Sequence, residues 1–186
     1  MIARLTRRSF LAASGSLLKA AAFVSLARAA PGVVAEIHMK SDQSGAAVGF
    51  DPAGLLLEPG QTVRWVCDAN VHTATAYSPR NANHSLRIPE GAKPWDSGFL
   101  QPGQSFEATL TVEGVYDYYC MPHEQTGMVG RLIVGRPGGP GSLGFDYFKA
   151  QGKDWTPVPE AARRAFPRVD EIMRERAVRS PLDFSK

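Results

Sequence analysis

Two strand-like runs, Val115–Tyr119 and Val129–Val134, are joined by the segment Cys120-Met121-Pro122-His123-Glu124-Gln125-Thr126-Gly127-Met128. A loop this short brings its Cys, His and Met side chains to one point only if it folds back on itself between two fixed strands. A second histidine, His72, lies far upstream in another strand-like run. If both histidines are to meet, the fold must place distant stretches of chain side by side at one end, which is a non-local β topology.

The rest of the region from about Val33 to Val134 agrees with that demand. Short runs at Val33–Met39, Ala46–Phe50, Leu55–Leu57, Thr62–Cys67, Val71–Tyr77 and Phe106–Val112 are separated by turn sequences such as Asp51-Pro52-Ala53-Gly54 and Glu58-Pro59-Gly60-Gln61. Alternating apolar runs punctuated by Gly and Pro predict an all-β sandwich. The stretch from Ser78 to Gln104 is long, polar and rich in Pro, Asn and Gly. A loop of that length in a compact domain is functional or poorly ordered, and Trp95 and Phe99 predict that part of it packs onto the sandwich.

The N-terminus reads as a leader. Thr6-Arg7-Arg8-Ser9-Phe10-Leu11 is a twin-arginine signature, followed by an Ala/Leu stretch and Ala27-Arg28-Ala29, a small-residue cleavage pattern. Lys19 interrupts the apolar stretch, which makes it a poor membrane span; an uncleaved anchor is the alternative. Residues 1–29 carry five basic side chains and no acid, so their removal takes the formal charge from +3 to −2. The basic character that would argue for nucleic-acid binding disappears with them. Export predicts a periplasmic or otherwise extracytoplasmic protein.

Residues 30–135 form the predicted domain, with six basic and eleven acidic side chains. After Val134 the linker Gly135-Arg136-Pro137-Gly138-Gly139-Pro140-Gly141 leads into an extension, 136–186, with ten basic and seven acidic side chains. Pro159–Phe166 and Pro167–Ala177 predict two short helices, each with proline in its first turn. Val169, Ile172, Met173 and Arg176 share one face of the second. That face can pack back onto the domain, meet a partner or lie peripherally on a membrane.

The donor set narrows the chemistry. One thiolate, two imidazoles and one thioether are the ligands of a blue-copper electron-transfer site, His₂Cys in a trigonal plane with a weak axial Met. Soft sulfur suits Cu(I), and imidazole binds both oxidation states. Pro122 stiffens the step from Cys120 to His123, and Gly127 permits the sharp approach to Met128. Structural zinc sites use several Cys and His and rarely Met. Covalent c-type haem needs a Cys-x-x-Cys-His that the chain lacks. Cys67 shares a strand face with Val63 and Trp65, which predicts a buried free thiol; a Cys67–Cys120 disulfide is the competing arrangement, and it would abolish the site. His38 and His84 read as surface or hydrogen-bonded histidines rather than ligands.

These residues resemble the cupredoxin family. Tyr119-Cys120-Met121-Pro122-His123 with Gly127-Met128-Val129-Gly130 is similar to the ligand loop of its plastocyanin, pseudoazurin and halocyanin members. Gly60-Gln61-Thr62-Val63-Arg64-Trp65 before Val71-His72 resembles the strand leading to the family's first ligand. The resemblance spans about residues 33–135 and implies a Greek-key β-sandwich holding one copper ion, with His72, Cys120, His123 and Met128 as ligands. It also implies electron exchange through the edge of His123, in an apolar patch lined by Met121 and Pro122. Where the family commonly places Asn after the first ligand, to tie the two ligand loops together, this chain departs from it with Thr73, whose hydroxyl can serve the same tethering role. Tyr118 and Tyr119 read as strand packing, and Tyr119 also as a second electron route through the thiolate.

The function this predicts is one-electron transport by Cu(I)/Cu(II) cycling between redox proteins such as a c-type cytochrome, a reductase or a membrane redox complex. It implies no small-molecule substrate, no nucleic acid and a monomer. A copper-handling role as chaperone, store or tolerance factor is the alternative. A copper enzyme would need a further centre built from several histidines, and only His38 and His84 are spare.

Overall fold

Strand β4, Gln61–Cys67, buries Val63, Trp65 and Cys67 and leaves the residues between them partly exposed. That period-two pattern fixes which face meets the core. The computed structural model describes residues 34–185, and within them β4 sits at the middle of one of two sheets. The first sheet runs β2 (Val48–Asp51), β1 (Val34–Ser41), β4 and β6 (Ser105–Leu110). The second runs β5 (Thr75–Ala76), β7 (Gly114–Tyr119), β8 (Val129–Val134), β3 (Gly54–Leu57) and β9 (Ala177–Val178). β1 pairs parallel to β4 and β3 parallel to β8, while β7 pairs antiparallel to β8. The chain changes sheet between β2 and β3, within a few residues around Pro52. The result is the Greek-key sandwich expected, without closure into a barrel. Residues 1–29, read above as a leader, lie outside the described residues.

Trp65 organises the core between the sheets. Its ring lies 5.4 Å from Trp95, 5.9 Å from Phe106 and 5.5 Å from Tyr118, the last edge-on. Offset and edge-on arrangements are those favoured by aromatic quadrupoles. Trp95 comes from the long loop, which also sends Ile88 and Leu100 into the same core. Phe99 does not follow: it is 62% exposed. The backbone on either side of it is bound to segment 72–76, Leu100 to His72 and Ser97 to Ala74, and the Phe99 side chain is left at the surface.

Where sequence alternation predicted a strand from Val71 to Tyr77, only Thr75 and Ala76 join a ladder. The reason is competition for amides. The Thr73 N–H donates to Cys120 Sγ (3.3 Å) and the Ala74 N–H to Ser97 Oγ (2.8 Å), so neither is available to a neighbouring strand.

β7 and β8 are buried at every position, on the outer face as well as the inner. The extension covers that outer face. It contains α1 (Tyr147–Ala150), α2 (Glu160–Ala165) and α3 (Val169–Glu175), and β9 then adds an edge strand beside β3. Ile172 is fully buried, but Met173 and Arg176 are exposed. Only part of the face read from the sequence therefore packs inward: Met173 lies on the helix but at its surface, and Arg176 falls beyond the helix end, where the backbone turns to φ 65°.

A buried ion triad holds this layer. Asp117, fully buried on β7, accepts from Arg87 Nε (2.7 Å) and from Arg131 Nε (2.7 Å). Each guanidinium then reaches the extension. Arg87 donates to the carbonyls of Gly141 and Leu143 and lies 4.1 Å over the Phe145 ring; Arg131 donates to the Pro167 carbonyl and lies 4.9 Å over Phe166. Removing the shared carboxylate would leave two buried cations without compensation. Asp117→Ala is expected to lower unfolding free energy by about 3–5 kcal/mol, a large share of a domain's margin, measured by denaturant titration of the full chain.

Candidate metal centre

At one end of the sandwich, segment 72–77 runs beside the loop that follows β7. Thr75 pairs with Tyr119 and Ala76 with Tyr118. This register places His72 against Cys120. His72 Nδ1 lies 3.5 Å from Cys120 Sγ and 3.2 Å from His123 Nδ1, and Cys120 Sγ lies 3.3 Å from His123 Nδ1. Bonds of about 2.0–2.3 Å to a common trigonal centre would separate such donors by about 3.5 Å. Among the described residues, His72, Cys120 and His123 are the group of His, Cys, Asp or Glu close enough to share a metal ion.

The protein sets these positions with its own hydrogen bonds. His72 exchanges backbone bonds with Leu100 in both directions (3.2 and 2.8 Å), and its Nε2 bonds Ser41 Oγ at 3.0 Å. With Nε2–H donating to Ser41, Nδ1 is the free donor nitrogen facing the thiol. Cys120 Sγ accepts the Thr73 N–H. The Met121 N–H donates to Thr73 Oγ1 (2.8 Å), Thr73 Oγ1 meets Thr75 Oγ1 (2.9 Å), and Thr75 Oγ1 donates to Asp96 Oδ1 (2.9 Å). The direction of this relay is fixed by its ends, an amide that can only donate and a carboxylate that accepts. Thr73 thus supplies the tether that the resemblance assigns to Asn.

The loop itself is a 3₁₀ turn, Met121–Thr126, with Pro122 in its first turn. The His123 N–H bonds the Cys120 carbonyl, the Met128 N–H bonds the His123 carbonyl, and the Cys120 N–H bonds the Met128 carbonyl. Met128 is fully buried, and these backbone bonds join it to His123 and Cys120. Gly127 closes the turn at φ 90°, a conformation other residues adopt only under strain.

The other two histidines lie apart from this group. His38 is half-exposed and hydrogen-bonds Asp68 at 2.9 Å. His84 is buried 3.6 Å from Glu124. Cys67 and Cys120 are both free and buried, so no disulfide competes for Cys120. Sequence reasoning missed Ser41, Tyr77 and Glu124 as residues around the site. Their only signal is a polar side chain at a core-facing position, which becomes visible once the register is known.

Burial dominates the protonation of the metal-free site. It pushes His72 down from 6.5 to about 4, with help from His123, and lowers His123 as well. It pushes the Cys120 thiol up to about 11, against hydrogen bonds that favour the thiolate. Neutral imidazoles are ready ligands, whereas the thiol gives up a proton on binding a metal, so metal uptake tightens as pH rises.

Residues 36–135 match the family described as "Copper binding proteins, plastocyanin/azurin family". The chain is a cupredoxin. It is 35% identical to pseudoazurin of Paracoccus pantotrophus over 63% of this chain and 76% of that protein. It is 30% identical to the chloroplastic plastocyanin of Oryza sativa over 68% and 84%. Among solved structures, pseudoazurin from Hyphomicrobium denitrificans covers 71% of this chain and 92% of its own, at 26% identity and a TM-score of 0.47. The family binds one copper ion, and the thiol–imidazole–imidazole trio fits that ion in donor chemistry and in spacing.

The depressed histidine has a measurable consequence. An unfolded chain protonates His72 near 6.5, the folded one only near 4, so between those values the unfolded state binds more protons and stability falls with falling pH. The stability advantage of the metal-free protein over His72→Gln is expected to shrink from pH 6.5 to pH 4 and then level off. Denaturant titrations of both proteins across that range check it.

Proposed function

We propose that His72, Cys120, His123 and Met128 hold one copper ion and that the protein is an exported one-electron carrier. The observation that supports this most directly is the convergence of three donor atoms within 4.8 Å of one another on hydrogen bonds supplied by the protein. When bound, copper supplies a one-electron couple between Cu(I) and Cu(II). The chain's own part is to keep the geometry common to both states, to exclude water and to offer a contact for electron exchange. His72 and Cys120 are fully buried; His123 is half-exposed, beside the exposed Met121 and Pro122. His123 is then the residue that would meet a partner, and Met128 would add a thioether sulfur to the residues holding the ion.

In this reading residues 1–29 direct export by the twin-arginine route, 30–135 form the copper domain and 136–186 the extension. Partners are redox proteins of the cytochrome, reductase or membrane-complex kind, met briefly through a small patch. A buried, tethered loop suits repeated electron exchange with the metal retained better than it suits metal transfer.

The visible spectrum of the mature protein titrated with Cu(II) tests the assignment. An intense blue thiolate band is expected, bleached by ascorbate and restored by oxidation. Cys120→Ser should abolish it. Met128→Leu should keep the band and shift the reduction potential. A colourless copper complex with Cys120 reduced would contradict the reading.

A further inference from the structure

The ligand loop is held at both ends by the same short segment. Thr73 receives the Met121 N–H at the Cys120 end. At the far side, the Tyr77 hydroxyl donates to Glu124 Oε1 at 2.6 Å. Tyr77 is fully buried and Glu124 is 7% exposed. Within the turn Met121–Thr126, Glu124 is the buried residue, and its side chain leaves the turn to bond a residue 47 positions away in sequence. His84 Nε2 lies 3.6 Å from the other carboxylate oxygen, beyond hydrogen-bond range, so the Tyr77 hydroxyl is the close partner.

The extension closes over this bond. Val158, Ala162 and Phe166 pack with Tyr77, Tyr119 and Val129 in one apolar cluster. Ala161 and Ala165 of α2 stand against the loop at Gly127: a Cβ built there would lie 3.2 Å from Ala165 Cβ and 3.3 Å from the Ala161 carbonyl oxygen. Gly127 is followed directly by Met128, and its N–H bonds the Glu124 carbonyl at 2.9 Å. Glu124 therefore fixes one side of a knot that contains His123 on its N-terminal side and Met128 on its C-terminal side.

We propose that the Tyr77–Glu124 hydrogen bond, sealed by α2 of the extension, is a latch that positions the ligand loop. Tyr77 and Glu124 are positioning residues: they act on His123 and Met128 through the backbone of the turn. The extension, on this account, is part of the metal centre's support rather than an appendage. The proposal rests on the ligand assignment above for its relevance to copper, but its mechanical content concerns the metal-free loop.

Hydrogen–deuterium exchange on the metal-free, full-length protein tests that content without copper. Tyr77→Phe removes one oxygen and leaves the ring packing. Exchange at the amides of His123, Gly127 and Met128 should quicken roughly ten-fold, the effect of one lost buried hydrogen bond, while amides of the β4–β6 ladder stay unchanged. Glu124→Gln keeps an acceptor for the Tyr77 hydroxyl and should stay closer to wild type than Tyr77→Phe does. With copper bound, Tyr77→Phe should release the metal to a chelator faster than wild type. Loop exchange that does not change, or that rises only in step with the ladder, would overturn the latch, as would an unchanged release rate. If wild type fails to turn blue with Cu(II) while the exchange result holds, the ligand assignment has failed and the latch has not.

Discussion

The structure depends on one pairing, between segment 72–77 and the chain from Tyr118 to Glu124. That pairing puts a histidine beside a cysteine 48 positions away. It spends backbone amides on the sulfur and on a serine hydroxyl instead of on a strand ladder. A β-sandwich normally satisfies its amides in sheets, so this is a local departure from the cheapest backbone arrangement. What is gained is a thiol and two imidazoles brought within one small volume by the protein's own hydrogen bonds.

The second constraint is the extension. The sandwich alone would expose the outer faces of β7 and β8, yet these strands carry Asp117 and Arg131 there, fully or nearly buried. Such charges are tolerable only where they are mutually paired. Arg87 from the long loop and Arg131 from β8 converge on Asp117 and then grip carbonyls of the extension. The long loop and the extension are thus bound to the same carboxylate. They also share the wall beside Tyr77 and Tyr119, where the Thr156 carbonyl and N–H pair with the Ser85 N–H and the Asn83 carbonyl.

Much of this was legible in the sequence, for physical reasons that differ by element. β4 and β6 were readable because one face is wet and one dry, which leaves period-two alternation. The ligand loop was readable because soft sulfur and imidazole at that spacing have few other uses. The role of Thr73 was posed by the sequence and answered by its two hydrogen bonds to Cys120 and Met121. The end of the predicted 71–77 strand was not legible, since nothing local says that an amide will go to sulfur. β9, the exposure of Phe99 and the partial burial of α3 were hidden too, because each depends on which distant surface happens to lie opposite. Tyr77 and Glu124 were invisible as a pair for the same reason: neither is unusual until the register brings them within 2.6 Å.

The central claim is that the fold, and not the metal, places the donors. Crystal structures of the protein in metal-free and copper-loaded forms test it most directly. The account predicts that His72, Cys120, His123 and Met128 keep the same rotamers in both, with the loop Met121–Thr126 superposing to within about 0.5 Å. A metal-free structure in which His123 swings out to solvent, or in which the loop loses its bonds to Thr73, would contradict it.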